Sequence, residues 1–106
     1  MIGNTEFIRK KAGERRVKWS IHALGELSGE PVTTRDVERA LEKAKIIELY
    51  PHQRRFLPDC LVLAYDIYGN PIHCVVAINV QQDFILIVTV YQPDEESWED
   101  DWKTRK

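Results

Sequence analysis

The 106-residue sequence predicts an α+β fold: N-terminal helices packed on one face of an antiparallel sheet of about four strands. Three observations carry that expectation. Apolar residues of the first half recur at helical spacing. Those of the second half form short β-branched runs separated by tight turns. The two kinds of pattern follow one another instead of alternating, which is the order of an α+β chain. This length suits one domain spanning residues 1–106, with a helical part at 5–45, a sheet at 46–91 and an acidic, aromatic C-terminal segment at 92–106.

The elements are justified in order. "TEFIRKKAGERR" predicts a short amphipathic helix with Phe7, Ile8 and Ala12 inward. In "WSIHALGEL", Ser20 is a capping residue, with Trp19 and Leu24 at the two staple positions. Gly25 weakens that helix, and "GEP" at 29–31 breaks the chain. "VTTRDVERALEKAK" is the clearest helix. Thr33 caps it, Asp36 sits at the capping-box position, and Val37, Ala40, Leu41 and Ala44 make one apolar stripe. The period then changes. "KIIELY" (45–50) reads as a first strand, and "PHQRRFLPD" (51–59) as a loop between prolines. "CLVLAYDI" (60–67), "IHCVVAIN" (72–79) and "FILIVTVY" (84–91) read as three antiparallel strands joined through "YGNP" and "VQQD".

Composition narrows the classes of function. Apolar residues make up 43% and charged residues 30%, as in an ordinary soluble domain. No run approaches the ~18 apolar residues of a membrane span. The first residues hold no apolar signal core, so a cytoplasmic protein with no membrane partner is expected. The three histidines, His22, His52 and His73, are scattered, and no CxxC or HExxH spacing occurs. No metal or other cofactor is therefore expected. The net charge of −2 argues against indiscriminate polyanion binding, but the charge is uneven. Residues 9–18 hold six bases and one acid, and residues 94–101 hold six acids. These are either solvated faces or a basic patch for phosphates beside an acidic tail.

Strand alternation assigns the faces. Hairpins turning near Gly69 and near Gln81 and Gln82 place His73 opposite Tyr65 and close to Thr89. One face then carries Val62, Ala64, Ile72, Cys74, Val76, Ile78, with Phe84, Leu86, Val88 and Val90, and packs against the helices. The other carries Leu61, Leu63, Val75, Ala77, Ile85 and Ile87, with Tyr65, His73, Thr89 and Tyr91 at its polar end. That cluster either caps the end of a hydrophobic layer or binds phosphate or base and moves protons. The same register sets Cys60 opposite Ile78 and Cys74 opposite Ala64. An offset of about four residues at ~3.3 Å each keeps the two thiols too far apart for a disulfide.

"KWSIHAL", "DVERALEKAKIIELYP", "CLVLAY", "GNPIHCVVAI" and "IVTVYQPDEESWEDDWKTRK" together resemble the prokaryotic domain-of-unknown-function 4258 family, from about Lys18 to the C-terminus. That family looks related to the RelE-like and MqsR-like toxins, small α+β ribonucleases that cut messenger RNA. The resemblance implies a compact sheet packed by N-terminal helices, an RNA-cleaving face and, as for members beside zinc-finger antitoxin genes, a protein partner. His22 matches the histidine of the family's "HA" motif, and His73 the histidine on the third strand. Tyr91 and Trp98 match the aromatics of the C-terminal signature. There is a departure. Members usually carry basic residues shortly after "HA", whereas this chain has Gly25, Glu26, Gly29 and Glu30. In the loop before the second strand, Arg54 or Arg55 is the match to the family's arginine.

Two functions follow. The first is a toxin-like protein of a type II toxin–antitoxin system, acting as a metal-independent endoribonuclease on mRNA. His73, His22 and Tyr91 are its expected catalytic groups, with Arg54, Arg55, Tyr65, Thr89 and Lys18 binding the RNA. The second is a degenerate toxin that works as a protein-interaction module, binding a zinc-finger antitoxin or a second copy of itself as a homodimer. Its docking surface is the second sheet face, unless "SWEDDW" folds back and covers it with Trp98 and Trp102.

Overall fold

A computed structural model describes residues 4–50 and 59–106. Three helices precede most of the sheet: α1 (Asn4–Gly13), α2 (Ile21–Leu27) and α3 (Thr34–Leu41). The strands are β1 (Val17–Trp19), β2 (Lys45–Tyr50), β3 (Asp59–Tyr65), β4 (Pro71–Asn79) and β5 (Phe84–Tyr91), ordered β1-β5-β4-β3-β2. Strands β2 to β5 are mutually antiparallel, and β1 joins β5 in parallel. The α+β class is as expected, but the sheet has five strands where about four were expected. The added strand is the three-residue "VKW", too short to show alternation. Its place is fixed from outside, by Arg16 O accepting from Ile85 N at 3.1 Å and Ile87 O accepting from Ser20 N at 3.0 Å.

The helix starts follow their caps. Thr33 Oγ1 accepts from Asp36 N at 3.1 Å while Asp36 accepts from Thr33 N at 2.9 Å, the reciprocal capping box. Val37, Ala40, Leu41 and Ala44 are all buried, so the predicted stripe is the packed one. Phe7, Ile8 and Ala12 of α1 are likewise buried. Lys11 lies beneath that helix with its ammonium 2.6 Å from Asp83, which pins α1 to the β4–β5 turn. Ser20 caps α2 through Ala23 N at 2.9 Å. Of the two staple positions, Leu24 is exposed and Trp19 is half-buried, its indole donating to Glu38 at 3.0 Å.

Register departs from expectation in two ways. The β3–β4 turn closes on Asp66, whose carboxylate accepts from Tyr68 N and Asn70 N, and pairs Tyr65 with Pro71. His73 therefore faces Leu63 and not Tyr65. That two-residue displacement leaves the faces of β3 and β4 unchanged. It also sets Cys60 opposite Val76 and Cys74 opposite Val62; both thiols are free and buried. The second departure does change a face. A β-bulge between the Val75–Thr89 and Val76–Ile87 pairs leaves Val88 as an extra residue on β5. Ile85 and Ile87 consequently join Val90 in the helix-side core, where Phe84 and Leu86 were expected.

Two layers result. The helix-side core gathers Ile8, Val37, Leu41, Val62, Cys74, Ile85 and their neighbours. On the opposite face, Leu61, Leu63, His73 and Ala77 are also buried. Over His73 the cover is the C-terminal segment, which does fold back.

Candidate functional site

The segment after β5 builds a small clasp. Asp94 accepts from Ser97 N at 2.7 Å, and the chain then doubles back so that Trp98 and Arg105 bridge in antiparallel fashion. Glu99 N donates to Thr104 O at 2.8 Å and Lys106 N to Ser97 O at 3.0 Å. The Asp101 carboxylate ties the tip by accepting from Lys103 N, Thr104 N and the Thr104 hydroxyl. Trp102 adopts a left-handed backbone, φ 60°. Trp98 is buried at 4% exposure, with its indole edge-on to the His73 ring at 4.4 Å.

His73 is wholly buried beneath this clasp. Its Nε2 lies 2.7 Å from the Trp102 carbonyl, and its Nδ1 lies 3.2 Å from the Tyr91 hydroxyl. A carbonyl oxygen only accepts, so Nε2 carries the proton and Nδ1 is left to accept from the phenol. Both ring nitrogens are thereby occupied. Burial holds the imidazole below its ordinary pKa, opposed in part by the Trp102 carbonyl and the Glu48 carboxylate. Burial also raises the Tyr91 phenol. The ring is closed to solvent.

The clasp is latched at its far end. Arg105 donates to Glu48 through Nε at 2.7 Å and Nη2 at 3.0 Å, and its guanidinium lies 4.7 Å from the Trp98 ring centre. Glu48 also accepts from the Tyr50 hydroxyl. The Arg105 bonds hold the Glu48 carboxyl below the usual carboxylate range. Burial, aided by the Glu48 hydrogen bond, pushes Tyr50 up to about 12. Two bulges phase these groups. Ile46 packs on the helix side, yet Glu48 pairs with Leu61 on the other face, because Ile47 is an extra residue in β2. Val88 does the same in β5, turning Tyr91 to pair with His73 where strict alternation would follow Ile87 onto the helix side. Neither bulge has a signal in its β-branched run. The Glu48–Arg105 pair, 57 residues apart, was equally illegible.

The remaining sequence candidates divide. Tyr91 meets His73, but Tyr65 is exposed beyond it and Thr89 pairs with Val75, so the four-membered cluster reduces to two. Lys18 points to the same sheet face at the far edge, its ammonium 4.3 Å above the Phe84 ring, and lines a groove with Arg15 and Arg16. His22 is exposed on α2, 3.5 Å from Glu26, well separated in the fold from the clasp. Arg54 and Arg55 lie outside the described residues. Among the described residues no group of three or more His, Cys, Asp or Glu gathers as metal ligands, and no helix is long and apolar enough to cross a membrane.

An open cavity lies on the helix side. A cleft of about 390 Å³ opens between α2, α3 and the ends of β4 and β5. Glu26 at its edge accepts from Val90 N at 2.9 Å, and Ser20 donates to Val88 O at 2.8 Å. These two side chains satisfy the rim of β5 where β1 has ended. Glu26 was named from sequence only as a departure from a basic pattern; its role at the sheet edge was missed.

A family model described as Domain of unknown function (DUF4258) matches residues 19–92. No curated protein and no solved structure matches the chain.

Proposed function

The chain belongs to the DUF4258 family, and on that footing we propose that it is a toxin-like protein of a type II toxin–antitoxin pair that acts through protein contact and not by cutting RNA. The observation that carries this reading is the sealing of His73. A general base must reach the proton it removes, and here both ring nitrogens are engaged and the ring has no exposed surface. The open cleft supports the same reading, because Glu26 and Glu30 give it a charge that repels phosphate. The partner is a zinc-finger antitoxin or a second copy of the chain.

One observation favours a second reading, a metal-independent endoribonuclease. Lys18, Arg15, Arg16 and Phe84 place cations and an aromatic ring at the far edge of the sheet face that carries His73. In that case the clasp swings away. His73 then takes the 2′-hydroxyl proton, the oxygen attacks phosphorus to give a 2′,3′-cyclic phosphate, and the 5′-oxygen leaves with a proton from Tyr91, which stands beside His73.

Incubation of the purified chain with single-stranded and structured RNA in EDTA, beside His73→Ala and the unlatched Arg105→Ala, separates the two. Intact RNA throughout, with a stoichiometric complex to a zinc-finger antitoxin or a homodimer, is the expected result. Cleavage by the parent or by Arg105→Ala that disappears in His73→Ala overturns the contact reading.

A further inference from the structure

Resting on the protein-contact reading, we infer that the cleft between α2, α3 and β5 docks a partner segment that sets an arginine or lysine beside apolar side chains. Leu27, Val32 and Val90 supply partly or wholly buried aliphatic lining, whereas Glu30 and Gln92 are exposed at the opening and Glu26 is half-buried. The volume, about 390 Å³, is at the small end of the range for binding clefts. A purely apolar occupant would strip water from the carboxylates without replacing it, which is costly. An anionic occupant would be repelled. A cation flanked by apolar groups satisfies both lining and opening. The approach is apolar as well. Ile21 is 90% exposed and Leu24 45% exposed on α2, and Leu24 stands one turn before Leu27. Glu26 is already shared with Val90 N and His22, so Glu30 is the carboxylate left to meet the incoming cation.

The test uses two blocked synthetic peptides of identical leucine and alanine pattern, one bearing arginines and the other glutamates at the polar positions. Each is titrated into the isotope-labelled full chain. The arginine peptide is expected to shift the amide resonances of Leu27, Val32 and Val90 and to bind about tenfold more tightly than the glutamate peptide. Glu30→Arg is expected to remove that preference without altering the thermal melt, since its side chain is exposed. Equal binding of the two peptides, shifts confined to other surfaces, or no shifts at millimolar peptide would overturn the inference. A zinc-finger antitoxin protein is titrated in parallel. If it binds parent and Glu30→Arg equally, the cleft assignment falls while protein contact stands; if it does not bind and no homodimer forms, both fall.

Discussion

The two faces of the sheet are closed by different means. On the helix side, three helices press aliphatic side chains onto β3, β4 and β5, and an open cleft remains between α2, α3 and the sheet. On the other side, the C-terminal clasp seals its centre with one buried indole and a few directional bonds to His73 and Glu48. Helices are stiff cylinders that do not follow every contour of a sheet. An irregular segment follows the surface it covers, but its stability depends on particular partners. The comparison teaches that the ionisable group within a core-like strand is here a fixing point, and that the open cleft lies on the face made of aliphatic residues.

The largest way to break the comparison is Trp98→Ala. Removing a buried indole from a packed site costs about 3–5 kcal/mol. The loss should fall on the clasp, so amide exchange is expected to quicken at Val75 and Tyr91 before it does at Leu41. Uniform quickening would show that the two layers unfold as one. A smaller change on the opposite face is Thr33→Ala, which removes the capping box of α3 and is expected to cost ~1 kcal/mol in urea unfolding. The clasp should not register it. Smaller again is the coupling between Glu48 and Arg105. Their exposure places it at or below about 1 kcal/mol, and a double-mutant cycle with Glu48→Gln and Arg105→Gln should see it shrink in 1 M salt.

The subtlest test is pH. The folded pKa of His73 is lowered, so the unfolded chain takes up the proton first. This contribution is fully present above the unfolded value near ~6.5 and is lost as pH falls below it toward the folded value. The urea midpoint is expected to drop between neutral pH and about pH 5.5, and less steeply in His73→Gln. The Trp102 carbonyl and Glu48 oppose the burial effect, which keeps the change modest. An identical pH slope in both proteins would show that the ring is not the titrating group.

Much of the helix side was legible because its signals are local. Ser20, Thr33 and Asp36 announce helix starts within four residues, and the stripe through Val37, Ala40, Leu41 and Ala44 announces a buried face. Faces on β3 and β4 followed from alternation, which survives a register error of two. The face of β5 did not, because a bulge is a single uncounted residue in a uniform run. The clasp was legible to the extent that "SWEDDW" offered two aromatics with nothing else to cover. Its latch was not, since Glu48 and Arg105 are ordinary charges that meet only once the sheet exists. The site was half legible: the Tyr91 contact follows from neighbouring strands, whereas the closing of His73 depends on a backbone carbonyl, which no side-chain pattern reveals.

Strands β2 and β5 each contain one residue more than their pairing requires, Ile47 and Val88. Losing a residue from inside a strand ordinarily inverts everything beyond it, with oily groups sent to water and hydroxyls to the interior. At these two places the arithmetic is reversed. A chain without Val88 is expected to keep Tyr91 beside His73 on a straighter ribbon, detectable as a retained contact between the two rings by NMR. Shortening by one residue at Ile85 would instead have to be absorbed by losing the bulge or by turning the hairpin end of the strand over. The protein should therefore tolerate the shorter forms of these strands at two spots only, and relatives that vary in length there can share one interior.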